Sequence, residues 1–220
     1  MNGMRRIAFA AAVMTGALLF APRARGQSNV VDCVVAVVNN QVISLFDVRV
    51  VEAFGLFDAP ATPDELGRRR FLLDKLIDQK VAIDLARGNA PVDEKKVDDE
   101  RNRLLSSLGR DEAQRRLAEF GLDEDGLKPY CRERVLLDTI VADRFARSVA
   151  VSLQEIETYY VKAYAPAVAK RGEQARDLLE VLPEIEAEIK KAKIEGEVSL
   201  WIKNLRQQAE IEIRPDCLGK

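Results

Sequence analysis

Val34 to Val38 reads Val-Val-Ala-Val-Val, an unbroken apolar, mostly branched run in a chain whose longer segments carry helical periods. Such a run marks a strand covered on both faces. Asn39-Asn40-Gln41 follows as a turn, because asparagine tolerates positive φ. Val42 and Ile43 begin a return strand. A hairpin of this size is at best marginal alone in water, so it needs another strand. Near the other end, Ala209-Glu-Ile-Glu-Ile-Arg-Pro215 changes from a helical to an alternating apolar period, which reads as a strand. The expected fold class is therefore mostly α with a small terminal β-sheet. The N-terminal hairpin pairs in it with the C-terminal strand.

The segments between are helical. Ser44-Leu-Phe-Asp47 has the form of a capping box and opens a helix to about Phe57. Asp58 to Pro63 is a linker with two prolines. Thr62 and Pro63 fit the N-cap and first position of a second helix, which runs to Arg87 and is stopped by Gly88. Leu72, Leu73, Leu76, Ile77, Val81, Ile83 and Leu85 cover most of its circumference, as a central helix requires. Pro91 starts a charged third helix to about Leu108, with Val97, Leu104, Leu105 and Leu108 as its apolar stripe. Asp111 to Phe120 is a fourth, stopped by Gly121. Asp123 caps a fifth, to about Val149, with Leu136, Leu137, Ile140, Val141 and Phe145 as its core face. Ser152-Leu-Gln-Glu155 is a second capping box. Residues 165–177 read as a polar loop. Pro183 fits the first turn of a long last helix whose stripe includes Ile185, Ile189, Val198, Trp201, Ile202 and Leu205.

Residues 1–26 have the pattern of a secretory signal peptide, with an uncleaved N-terminal anchor as the alternative: Arg5 and Arg6, an apolar stretch from Ile7 to Ala21, and small residues Ala24 and Gly26 before Gln27. Cleavage there removes four arginines and no acid. Of the 34 basic residues 30 remain, against 36 acidic, a net charge of −6. That balance argues against a nucleic-acid partner. No long apolar run follows residue 26, so no stable membrane insertion is expected after cleavage. The chain has no histidine. Ser-His-Asp and Cys-His nucleophilic sites, histidine zinc sites and histidine general bases are thereby excluded. Three scattered cysteines make no thiolate metal site, and no glycine-rich phosphate loop is present. The expectation is no catalytic residue, no metal and no cofactor.

The order of parts resembles the SurA-like periplasmic chaperones. The carriers are "VVDCVVAVVNNQVISLFDV", "FLLDKLIDQKVAIDLARGNAPVDEKKVDDERNRL", "VSLQEIETYY" and "LLEVLPEIEAEIKKAKIEGEVSLWIKNLRQQAEIEI". Each segment is weakly specific by itself; their order is more so. The resemblance covers nearly all the chain after residue 26. One departure is large. Between Tyr164 and Asp177 that family usually inserts a parvulin prolyl-isomerase domain, whose site uses histidines. Here residues 165–177 join the flanks directly. The resemblance thus implies a core chaperone module without isomerase activity. Its organisation is a signal peptide (1–26), an N-terminal chaperone region (27–164), a short linker replacing the parvulin domain (165–177), and a C-terminal helix and strand packing back on the N-terminal region (178–220).

The function so implied is an ATP-independent periplasmic holdase for unfolded outer-membrane or envelope proteins. Its partners would be unfolded or extended polypeptides, and a homodimer formed by exchanging terminal elements stays open. Phe54, Phe57, Tyr159, Tyr160 and Tyr164 are candidate client-binding residues, with core packing as the alternative for each. Cys33 and Cys217 are a candidate disulfide if their strands are neighbours, and separate thiols if their Cα atoms lie more than about 7 Å apart. Cys131 reads as a packed small residue. Asp32 and Arg214 flank the strands and read as solvent-facing. Two other readings compete. One is an envelope adaptor with a dedicated folded partner; the other is a degenerate prolyl isomerase, which the lack of histidine disfavours.

Overall fold

The structure is a computed structural model that describes residues 32–86, 91–145 and 149–219. The signal-peptide reading, the Gly88 stop and the join after Phe145 fall outside the described residues. The described chain is mostly helical, with one three-stranded antiparallel sheet.

Strands β1 (Val34–Val38) and β2 (Gln41–Ser44) form the expected hairpin. Strand β3 (Ile211–Ile213) pairs with the other side of β1, so the sheet order is β2-β1-β3. The two chain ends meet there. Val35, Ala36 and Val38 of the central strand are fully buried. Asn39 takes φ 51° at the turn. Its side-chain oxygen accepts from Glu210 N–H at 2.9 Å, and its side-chain amide donates to Asp84 at 2.7 Å. The turn residue therefore also fastens β3 and the second helix to the hairpin. Cys33 and Cys217 are disulfide-bonded, with Cα atoms 5.9 Å apart. The bridge joins positions 184 residues apart at the same end of the sheet.

Helix α1 (Leu45–Phe54) starts with the expected capping box. Ser44 accepts from Asp47 N–H at 3.2 Å, and Asp47 accepts from Ser44 N–H at 2.9 Å, so the short Asp side chain still reaches back. The helix ends three residues earlier than expected, because Gly55 takes the left-handed conformation at φ 64°. Helix α2 (Glu65–Ala86) begins later than the prolines suggested. Asp64, not Thr62, accepts the Gly67 N–H, while Thr62 accepts from Asp64 N–H. An acceptor one turn ahead of Gly67 caps the first turn better than the more distant Thr62 can. Leu72, Leu73, Leu76, Ile77, Val81, Ala82 and Ile83 are all buried, so α2 is the central helix.

Helices α3 (Glu94–Leu108) and α4 (Arg110–Phe120) cover one side of the body. Asp123 caps a short 3-10 turn (Glu124–Leu127) before α5 (Lys128–Phe145) begins. The core face of α5 differs from the expected one. Cys131 and Val135 enter the main core, whereas Leu136, Leu137, Ile140 and Val141 are half-buried. The main core joins the sheet to α1, α2, α3, α4 and α5. A second cluster of Ala82, Phe145, Trp201 and Ile202 fixes α8 (Leu178–Gln208) against α2 and α5. There Phe145 meets Trp201 edge to face at 5.6 Å, so Trp201 is core as expected.

The remaining elements form an outlying layer. Helix α6 (Leu153–Tyr159) opens with the Ser152–Glu155 capping box and runs without a break through a π-helical stretch (Tyr160–Tyr164) into α7 (Ala165–Lys170). The expected loop over 165–177 is thus helical in its first half. Its alanines favour helix, Pro166 follows directly on the π-helical stretch, and Val168 is buried. α8 likewise starts earlier than expected. Asp177 caps it, and Pro183 lies inside the helix rather than in its first turn. Pro183 has no N–H to give to the Leu179 carbonyl one turn back, and both residues lie on the exposed side of the helix. Ile156, Val181 and Ile185 are the buried centre of this layer.

A candidate client groove

The candidate site follows from how three helices and the sheet edge meet. A groove of about 1170 Å³ lies between α2, α5 and α8. Its floor comes from helical stripes one turn apart. Ile194, Val198 and Ile202 project from α8, Leu137 and Val141 from α5, and Phe71 from α2. Phe57 and Ile211 close its two other sides. Apart from Ile202, which is buried, these side chains are half-buried, so apolar surface faces the opening.

The rim is charged and internally balanced. Arg206 reaches Asp78 at 2.8 Å and Asp74 at 3.1 Å, tying α8 to α2 beside the groove. Burial pushes the Asp78 carboxyl above its ordinary value, and Arg206 offsets this only in part. Burial also raises Asp138, on the α5 side, against the weaker pull of Arg134. Lys75 lies over the Phe71 ring at 5.3 Å, so one cation covers an aromatic of the floor. The site is an apolar trough edged by both signs of charge. It can hold apolar side chains and leave the polar parts of a chain in water.

The anticipated client residues are dispersed. Phe57 lines this groove. Phe54 does not: it is 1% exposed and packs in the main core beside Phe120, so its assignment to a client surface is corrected. Its place in α1, directly before the left-handed Gly55, turns it inward. Tyr159, Tyr160 and Tyr164 are half-buried against the outlying cluster, apart from the groove's lining. Tyr160 stacks on Tyr164 at 5.6 Å and donates its hydroxyl to the Arg176 carbonyl. The tyrosines therefore hold the α6–α8 layer together.

Cys131 is fully buried, and burial raises its thiol to about 11, which keeps it protonated and inert at neutral pH. Asp32 accepts from Phe46 N–H at 3.0 Å, while Arg214 pairs with Glu212, so the two do not form a functional pair. Among the described residues no cluster of Cys, Asp and Glu could hold a metal ion. The groove's helical walls were missed in the sequence because their apolar residues read as core. The stripe Ile194, Val198, Ile202 packs on the small second cluster and, apart from Ile202, is only half-buried there. No protein-family model matches the chain, and no curated protein matches it.

Proposed function

We propose that this chain is an ATP-independent holdase of the bacterial periplasm. It shields extended apolar segments of unfolded outer-membrane or envelope proteins, without prolyl-isomerase activity. The observation that carries the reading is the open apolar groove between α2, α5 and α8 with its balanced charged rim. Its volume is at or above the usual range for small-molecule pockets, about 300–1,000 Å³. Its half-buried, open floor suits a length of chain better than a compact ligand. The resemblance of the hairpin and helices to the SurA-like core module supports the same reading, as does the signal-like segment at residues 1–26. The mechanism involves no covalent step and no cofactor. A client is held by apolar burial along the trough, and its ordering entropy keeps the affinity per site modest.

The test is light scattering of a denatured outer-membrane protein diluted from urea, with and without the chain. Suppression of aggregation at excess chain, with no nucleotide, is expected. Undiminished aggregation would sink the reading. Recovery of a single stoichiometric folded partner from envelope extract, with no unfolded clients, would instead favour an adaptor.

A further inference from the structure

Among the described residues, nothing pairs with the outer edge of β3, which lies beside the groove. β3 pairs with β1 in the register Val37↔Glu212. The flanking bonds run from Asn39 N–H to the Glu210 carbonyl at 2.7 Å and from Arg214 N–H to the Val35 carbonyl at 2.8 Å. Bonded positions alternate along an antiparallel pair, so residues 210, 212 and 214 face β1. The N–H and C=O groups of Ile211 and Ile213 point the other way, and β3 is the last strand on that side. Ile213 is 45% exposed although its β1 neighbour Ala36 is fully buried.

We propose that this edge takes an extended stretch of unfolded polypeptide as a fourth strand, bonded to Ile211 and Ile213, with alternate side chains entering the groove. The inference rests on the holdase reading and names the form in which the client binds. Two donors and two acceptors, spaced as in a strand, complement an extended main chain and no compact ligand. Edge and groove are continuous, because Ile211 belongs to both. The charges on the edge do not repel a neutral chain: Glu212 and Arg214 neutralise each other at 2.8 Å. β3 is a short edge strand of three residues, over which neither an unpaired charge nor a proline adds protection, and Pro215 lies beyond it. Main-chain recognition also tolerates sequence, as a binder of many clients needs.

The probe is a fluorescent peptide of about eight residues, alternating Val and Thr. It is N-methylated at either the Val or the Thr positions and titrated against the full chain by anisotropy. One methylated set should bind roughly tenfold more weakly, since it loses the strand bonds, and the other should bind like the parent. Ile213→Pro removes only the outward N–H and should weaken the parent peptide to a similar degree, with melting unchanged. If that variant unfolds, the two methylated peptides on the unaltered chain decide. Equal binding of both sets would overturn the fourth strand and leave the holdase reading standing on side-chain contacts alone. No peptide binding together with no suppression of aggregation would overturn both. Equal binding of both sets, with a dimer of the chain that Ile213→Pro separates, would assign the edge to a second copy and overturn the proposal.

Discussion

The body of the molecule and its outlying layer are built on different scales. In the body, the sheet and five helices share one core, centred on residues such as Phe54, Leu72, Ile77, Leu104 and Leu127, all under 2% exposed. The layer of α6, α7 and the first half of α8 buries Ile156, Val168, Val181 and Ile185 among its described residues, with half-buried tyrosines around the cluster of Ile156, Val181 and Ile185. Leu153, Val161 and Leu179 stay more than half exposed on it. Few buried apolar contacts mean a lower local opening free energy. The body therefore sets the global stability and frames the groove, and the layer is the part that opens first.

The largest effect is expected from the clasp of the body. Replacing Cys33 and Cys217 by serine should destabilise the whole chain by about 2–5 kcal/mol, read as one cooperative urea transition at a lower midpoint. A matched pair of core truncations then separates the two regions. Ile77→Ala should cost about 2–5 kcal/mol of global stability. Ile185→Ala, with the same chemistry, should leave the main transition nearly in place. It should instead raise hydrogen exchange through residues 153–190. A fall of the global midpoint equal to that of Ile77→Ala would show that the two regions unfold as one.

Acid should distinguish them further. Glu155 holds the layer's capping box and is lowered from 4.5 to about 2, chiefly by Lys193 and then by Ser152. A depressed carboxylate contributes stability above its unfolded value and loses it as pH falls through its folded value. The layer should thus loosen between about pH 4.5 and 2. In the body, Glu112 is also lowered to about 2, by Arg115 and Arg116, but burial raises Asp78 and Asp138. Raised carboxyls act with the opposite sign: their contribution is full below the unfolded value and fades as pH rises through the folded one. That change falls above about pH 3.8, mostly outside this window, and Glu100 and Glu212 are lowered as well, so the body too should lose stability here, but from a larger reserve. Amide exchange against pH should show the layer opening first, and Glu155→Gln should remove most of that acid dependence.

The smallest effect concerns the helix that spans both regions. Gly196 lies in α8 between the halves, and a Cβ there would meet nothing within 4 Å. Gly196→Ala should raise the melting temperature slightly, corresponding to about 0.5–1 kcal/mol. An unchanged or lowered value would show that the glycine serves the bend or motion of α8.

Much of this division was legible in local chemistry. A branched apolar hairpin needed a third strand, and only the alternating segment around Ile211 could supply it. The observed sheet and the Cys33–Cys217 bridge match that reading. Both capping boxes were visible because their partners lie three residues apart. Where two local signals competed, the sequence misled. Pro63 marked the turn before α2, yet Asp64 wins the cap because its side chain reaches the Gly67 N–H of the first turn. Residues 165–177 looked polar and irregular as a whole, but the alanines of the first half favour helix and Val168 is buried. Phe54 was left between client surface and core because a helix end hides which way its last turn faces. The groove was not legible, since it exists only where three helices separated by long stretches of sequence come together.

The most direct test of the account compares the two regions on a client. A photo-crosslinking side chain is placed at Ser199, an exposed groove position, or at Leu179, which is 78% exposed on the layer. Each full-length variant is mixed with an urea-unfolded outer-membrane protein and irradiated. The account predicts crosslinks from Ser199 and few from Leu179. Equal yields from both positions, or crosslinks from Leu179 alone, would contradict the assignment of client binding to the groove.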